Sequence, residues 1–461
     1  MPGSDQILLQ LDQIPQLVDD IKFIDTEDLP PYHTIQNGDL FSLSLSLDTT
    51  DMTHGLHRFA AKYIPQIPRW AIKEFSPVGG RVLDPFMGSG TTLVEALTFN
   101  REAIGLDIDP LAQLITSAKI SCPSSARIIG LGNQIKEQWL TPASALTSPM
   151  PDVVNFEHWF THDAWTKLQA LLSVIDSLEC TDNERGYVLT VFSSILRLVS
   201  NADDQSQKTY VSGTNPKTPP EVRETFWKFY AKAIKRLHRL EQARHRSAVA
   251  SIDYASDALA IKQPAETIDL VVTSPPYLDS VDYMYNFMAE YFWLGPRLGI
   301  ANRKEFNARR KEPVGAKNPS QQRPNLPLEV ARLVAQAQLS PERNKAAIGY
   351  LTGMHQHMRE AATVLKPSAY YVMVVGNSQT KEGILPVHDC LVALAAHEGL
   401  HLDKAFGYRI RRHYMKFPRK GRGGIILIDW VLVFQKKYQM TLNYEPLPLP
   451  WAALHNDAVA H

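Results

Sequence analysis

Two periodicities divide this chain. Short apolar runs that stop at a polar or small residue recur at Arg81–Asp84, Ala103–Asp107, Ile268–Val272, Tyr370–Val375 and Gly424–Phe434, and each reads as a buried strand. Between them, apolar positions fall at three- and four-residue intervals, predicting a helix from about Thr91, another over Tyr350–Leu365 and another around Pro386–Gly399. Strands alternating with helices predict an α/β fold with a doubly wound, mostly parallel sheet. Ligands of such sheets sit at the carboxyl ends of the strands. Asp84, Asp107, Asp257, Ser274 and Asn377 all follow apolar runs and are expected to converge on one rim.

The stretch 123–246 is too long to be a connection within such a fold and is expected to be an inserted helical domain. Helical spacing covers Asp163–Leu178 and Arg185–Val199, and Pro220–Arg246 sets Phe226, Phe229, Tyr230, Ala233, Ile234, Leu237 and Leu240 on one face. Ser200–Pro219, polar with glycine and proline, reads as a loop.

Composition adds limits. The 461 residues, 44% hydrophobic, suffice for a sizeable core and two or three domains. Cys122, Cys180 and Cys390 lie far apart in no metal-ligand spacing and read as buried thiols. No stretch approaches the roughly 20 apolar residues that span a bilayer, and Met1–Asp20 is acidic and polar rather than signal-like. The expectation is a cytoplasmic protein without a membrane partner. With 48 basic and 48 acidic residues, net charge predicts no affinity for nucleic acid. Any such affinity must be local, and Tyr408–Arg422 interleaves cations with aromatics in a composition suited to phosphates and exposed bases. Arg303–Arg323, rich in Pro, Asn and Gln, reads as a mobile solvated loop.

The chemistry begins at Gly79–Ala96, which reads as turn, strand, glycine loop and helix. Glycines allow close backbone approach, and a helix beginning at Thr91 aims free amides and a positive dipole end at a ligand. A P-loop would require Gly-Lys-Ser/Thr, and no lysine follows Gly90; a nicotinamide fingerprint would require a third glycine or alanine where Leu93 stands. Asp84, directly before the loop, would repel a pyrophosphate and attract an ammonium group. Asp107, at the end of the second strand, is placed to hold both ribose hydroxyls. Adenosine joined to an amino acid describes S-adenosylmethionine.

Thr273-Ser274-Pro275-Pro276-Tyr277 follows another strand. Two prolines can continue neither sheet nor helix, so the backbone turns rigidly and presents the Ser274 hydroxyl, the Ser274 and Pro275 carbonyls and the Tyr277 ring. That group suits a flat ring bearing an amine; alone, it is equally an ordinary strand-ending turn.

Together these segments resemble the class I S-adenosylmethionine-dependent DNA amino-methyltransferases, which modify N4 of cytosine or N6 of adenine. His54–Pro65 is similar to the family's His-x-Tyr-Pro-Ala-Lys-Phe-x-Pro segment, with Ala60 replacing the usual proline and Lys62 in register. Asp84–Thr92 resembles its Asp-Pro-Phe-x-Gly-Ser-Gly-Thr-Thr loop, Gly105–Pro110 its ribose-binding strand end, and Thr273–Tyr277 its catalytic Ser-Pro-Pro-Tyr. The resemblance covers roughly half the chain and implies a Rossmann-like fold.

By that resemblance residues 1–50 are an N-terminal extension, 51–122 a cofactor-binding half, 123–246 the helical insertion, 247–440 a catalytic half and 441–461 a tail. It implies catalytic roles for Ser274, Pro275, Pro276 and Tyr277, and S-adenosylmethionine contacts for Lys62, Asp84, Pro85, Phe86, Gly88, Gly90, Thr91, Asp107, Ile108 and Asp257. Asp257 is read either as a turn or helix-cap residue or, by the family, as a contact to the adenine amine. DNA contacts are implied for Arg409, Arg411, Arg412, Lys416, Arg419 and Lys420. The stripe on Pro220–Arg246 is read as core packing, or as a wall of the DNA cleft with Lys228, Lys232, Lys235, Arg236 and Arg239 outward. Serine before Pro-Pro-Tyr favours cytosine N4; adenine N6, RNA, or an inactive DNA-binding homologue are the alternatives. Cytosine C5 chemistry needs a thiolate, and Cys122-Pro123 reverses the usual Pro-Cys order. The expected partners are DNA and a cognate restriction endonuclease or defence component.

Overall fold

The computed structural model describes residues 22–43, 48–59, 62–140, 155–204, 209–278, 282–314, 326–376, 385–410 and 428–437. Its strands are β1 (Ile24–Thr26), β2 (Leu40–Leu43), β3 (Arg81–Asp84), β4 (Glu102–Gly105), β5 (Val249–Ile252), β6 (Ile268–Thr273), β7 (Leu365–Gly376), β8 (Leu400–Arg409) and β9 (Ile428–Lys436). They form one nine-stranded sheet in the order β1-β2-β8-β9-β7-β6-β3-β4-β5. Only β9 runs antiparallel, paired with β7 and β8. The order reverses between β3 and β6, where a crevice opens beyond the strand ends.

The helices that position the site are α1 (Gln66–Phe75), α2 (Thr91–Thr98) and α3 (Pro110–Ser121). Asp109 caps α3 by accepting from Leu111 and Ala112, and Pro110 occupies the first turn, where its missing amide is harmless. Between β4 and β5 come α4 (Ser125–Leu140), α5 (His162–Ser177), α6 (Asp182–Leu196) and α7 (Val222–Ala243). Thr181 and Glu184 close a capping box on α6. Leu131, Trp165, Phe192 and Phe226 from these helices share one core with Leu111 and Ile115 of α3 and with Phe287 and Trp293, which lie beyond the Pro-Pro loop. The apolar stripe on α7 therefore packs. Lys228, Lys232, Lys235 and Arg239 are exposed, but Arg236 turns inward and donates to the Gly55 carbonyl, contrary to its expected outward placement.

Beyond β6 lie α8 (Met288–Leu294), α9 (Arg303–Arg309), α10 (Leu328–Gln336), α11 (Pro341–Val364) and α12 (Val387–His397). The helix α9 corrects the expected mobile loop: Asn302 caps it from its side chain, and Phe306 is buried with its ring 5.3 Å from that of Tyr291. One large apolar anchor outweighs a polar composition that suggested solvent. The segment 315–323 of that expectation lies outside the described residues. No helix among the described residues is long and apolar enough to cross a membrane.

Candidate active site

Loops after β3, β4, β5 and β6 meet at the crevice and enclose a cavity of about 380 Å³, within the size range of small-molecule sites. The glycine loop supplies Pro85, Phe86, Met87, Gly88, Ser89 and Thr91; the β4 end supplies Asp107, Ile108 and Asp109. Asp257, Ala258 and Leu259 form another side, Phe59, Lys62 and Tyr63 another, and Ser274 and Pro276 join the wall. Two glycines make the loop possible. Gly88 has φ +48°, and a Cβ there would stand 3.0 Å from the Phe59 ring; Gly90 has φ +72°, and its Cβ would meet Thr116 at 2.7 Å. Gly90 thus supports the loop from beneath and does not face the cavity.

Asp107 sits half-buried at the rim. Its carboxylate accepts from the Gly88 amide and the Asp109 amide, each at 2.9 Å, and burial followed by the Asp109 charge pushes its pKa up to about 7. Asp84 is fully buried and does not line the cavity. It accepts from Thr92 Oγ1 at 2.5 Å, Thr273 Oγ1 at 2.7 Å, Tyr63 OH at 3.2 Å and the Phe86 amide at 3.3 Å. Burial pushes it up to about 6. The expectation that Asp84 meets a cofactor ammonium is therefore corrected: the acid knots the ends of β3 and β6 to α2 and Tyr63.

Behind the loop, fully buried Lys119 donates to the Ser89 carbonyl at 2.7 Å, and burial lowers its pKa strongly. Lys62 donates to the His54 carbonyl at 2.8 Å; burial, then Arg236, lowers it to about 8. The Ser89 hydroxyl is buried with no hydrogen-bond partner among the described residues. On the opposite side, His357 of α11, held neutral by burial, donates from Nδ1 to the Ala258 carbonyl at 3.0 Å and accepts at Nε2 from Tyr371 OH at 2.9 Å. Its ring meets Phe86 edge-on at 4.8 Å, and Gln356 donates to the Leu259 carbonyl at 2.8 Å. Asp257 itself accepts from the Leu259 amide at 2.6 Å in a turn five residues past β5, so the turn and the cavity wall are both real features of this residue.

In the Pro-Pro loop, Ser274 is half-buried and Pro275 is buried without facing the cavity. Tyr277 is not in the wall of this cavity; its hydroxyl donates to Asp429 Oδ1 of β9 at 3.1 Å. Arg409 ends β8 with its guanidinium 5.3 Å over the Phe23 ring. Arg411, Arg412, Lys416, Arg419, Lys420 and Asn377 lie outside the described residues. Sequence reasoning named the segment that holds Phe59 and Tyr63 but singled out only Lys62 within it, and it missed His357 and Asp429. It also missed Arg309, the last residue of α9, and Glu312, Pro313 and Val314 just after it, which line the cavity. Asp109 was legible as a helix cap before Pro110. The others carry no local signal.

A family model described as DNA methylase matches residues 31–116. The type II methyltransferase M.MvaI of Kocuria varians is 27% identical over 82% of this chain and 86% of its own length. The type II methyltransferase M.BsoBI of Geobacillus stearothermophilus is 23% identical over 57% of each. These matches support a DNA amino-methyltransferase of the N4/N6 family. A solved S-adenosylmethionine-dependent methyltransferase from Methanosarcina mazei covers 80% of this methyltransferase and 97% of its own chain, with 10% identity and a TM-score of 0.29.

The methyl donor of this family is S-adenosylmethionine. The donor set of this methyltransferase fits that cofactor: a rim carboxylate at Asp107, an apolar slot at Phe86 and Ile108, the close-approach glycine at Gly88 and the unpartnered Ser89 hydroxyl.

Proposed function

We propose that this DNA methyltransferase modifies the exocyclic N4 amine of a cytosine flipped out of the duplex. One observation carries the reading: Ser274 and Pro276 stand in the wall of the same cavity as the glycine loop and Asp107, and serine in that position favours cytosine within the family. Asp107 would hold the ribose hydroxyls, Phe86 and Ile108 the adenine faces, Asp257 the adenine amine and Lys62 the methionine end. When bound, the cofactor supplies an electrophilic sulfonium methyl.

A base inside the stack cannot reach this cavity, so flipping costs a few kcal/mol, which contacts in the pocket offset. The Ser274 hydroxyl and the Pro275 carbonyl accept the amine hydrogens and turn the nitrogen lone pair toward the methyl. Tyr277 stacks on the base. The rigid prolines fix these acceptors before the substrate arrives, so the rate comes mostly from positioning and from electrostatic matching. None of these residues adds covalently to the base. The test is methyl transfer to duplex DNA followed by mass spectrometry of the nucleosides. N4-methylcytosine supports the reading, and N6-methyladenine replaces its target.

Two outcomes follow from the role assignments. Tyr277→Ala should keep cofactor affinity in calorimetric titration and lose turnover by an amount equivalent to roughly 1–3 kcal/mol of base stacking; unchanged turnover removes Tyr277 from the site. Replacing Arg411, Arg412, Arg419 and Lys420 with alanine should flatten the salt dependence of DNA binding by about 0.9 per phosphate contact, roughly three to four for the set. A parental slope would transfer DNA binding to other surfaces, of which the exposed lysines of α7 are the first to test. The relatives' type II character supports a restriction endonuclease of matching specificity as the cellular partner.

A further inference from the structure

Tyr277 occupies an unusual place for a residue of the catalytic loop. Its ring lies against Gly376, the last residue of β7, where an added Cβ would stand 2.6 Å from Tyr277 Cε2. Gly376 pairs across the sheet with Asp429 of β9, and Asp429 pairs on its other side with Tyr408 of β8. The Asp429 carboxylate divides its oxygens between two phenols: Oδ1 accepts from Tyr277 OH at 3.1 Å and Oδ2 from Tyr408 OH at 3.0 Å. No lysine or arginine among the described residues pairs with it. A carboxylate taken out of water without a cation is costly, and an apolar side chain would fill the same space at lower cost. What the carboxylate alone offers is simultaneous acceptance from two hydroxyls.

We propose that Asp429 is a positioning residue that fixes the Tyr277 ring for the target base. The proposal rests on the reading that Tyr277 stacks on that base. Gly376 supplies the space for the ring, the Asp429–Tyr277 bond sets the position of its hydroxyl end, and Tyr408 holds the other carboxylate oxygen so that the acid cannot rotate away. Burial pushes the Asp429 pKa up to about 6, so near neutral pH the ionised form predominates and both phenols have an acceptor. The prolines fix one end of Tyr277 through the backbone, and Asp429 fixes the other. A ring held at both ends meets a flipped base without first losing its own freedom.

The experiment uses the full chain with a duplex that it methylates. It measures kcat, KM for DNA, cofactor affinity by calorimetry and thermal stability for Asp429→Asn, Asp429→Leu, Tyr277→Phe, Tyr277→Ala and the Tyr277→Phe/Asp429→Leu double variant. Tyr277→Phe and Asp429→Leu should each lower kcat roughly ten- to hundredfold, as loss of a hydrogen bond to a charged group implies, with cofactor affinity within about twofold of the parent. Asp429→Asn keeps an acceptor and should recover most of that loss. The double variant should be no slower than the slower single variant, because both remove one bond. Parental kcat in Tyr277→Phe together with a loss in Tyr277→Ala overturns the tether and leaves the stacking reading standing. Parental kcat in Tyr277→Ala overturns the stacking reading and the proposal with it. If Asp429→Leu does not fold, Tyr277→Phe still decides, since it breaks the same bond from the partner side and leaves the acid in place.

Discussion

Asp84→Ala should lower the free energy of unfolding by about 3–5 kcal/mol at pH 5, measured by urea denaturation of the cofactor-free protein. The truncation removes the acceptor of the Thr273 hydroxyl and the Phe86 amide and leaves the Tyr63 and Thr92 hydroxyls only each other, and each unsatisfied buried donor costs about 1–3 kcal/mol. The pH dependence has a definite sign. Burial raises the Asp84 pKa to about 6 in the folded state, from 3.8 when unperturbed. The stability linked to this shift is fully present below the unperturbed value and is lost as pH rises through 6. The gap between parent and variant should therefore narrow from pH 4 to 6 and level off above. A variant as stable as the parent would return Asp84 to the cofactor.

Asp107→Ala should weaken S-adenosylmethionine binding by roughly 10- to 100-fold, the loss expected when hydrogen bonds to a charged group disappear. In the parent, affinity should rise as pH passes through 7 and then level off, because the ionised carboxylate is the better acceptor and its pKa is pushed up to about 7. The stability of the cofactor-free protein should move the opposite way over the same range, since a raised folded pKa loses its contribution as pH rises. Asp107→Asn should abolish the affinity limb. Calorimetric titration between pH 6 and 8 measures it, and an unchanged profile in Asp107→Asn would place the ribose elsewhere.

Much of the site was legible before folding because its signals are local. Gly88 and Gly90 stand where positive φ is required, a proline pair stops β6, and acids close β3 and follow β4; each consequence is fixed within a few residues of chain. Apolar spacing gave the strands near 82, 270 and 372 and the helices of 162–243 for the same reason. Two strands at one end of the sheet escaped it: β1 and β2 span three and four residues, and β1 is mostly exposed rather than apolar. Residues 24–26 and 40–43 consequently joined the sheet unannounced.

The sequence by itself determined the α/β class, the glycine loop, the rim acid Asp107 and the Pro-Pro turn, because backbone conformation and strand ends depend on neighbouring residues. Tertiary structure alone decided what those groups face. Asp84 looked like a ligand group until Tyr63, Thr92 and Thr273 converged on it from three other segments, one of them 189 positions away. Tyr277 looked free until β9 brought Asp429 across 152 positions. Arg309–Val314 entered the cavity wall only because buried Phe306 holds α9 in place. A side chain's partner at such separations is set by strand order and register, which no local pattern encodes.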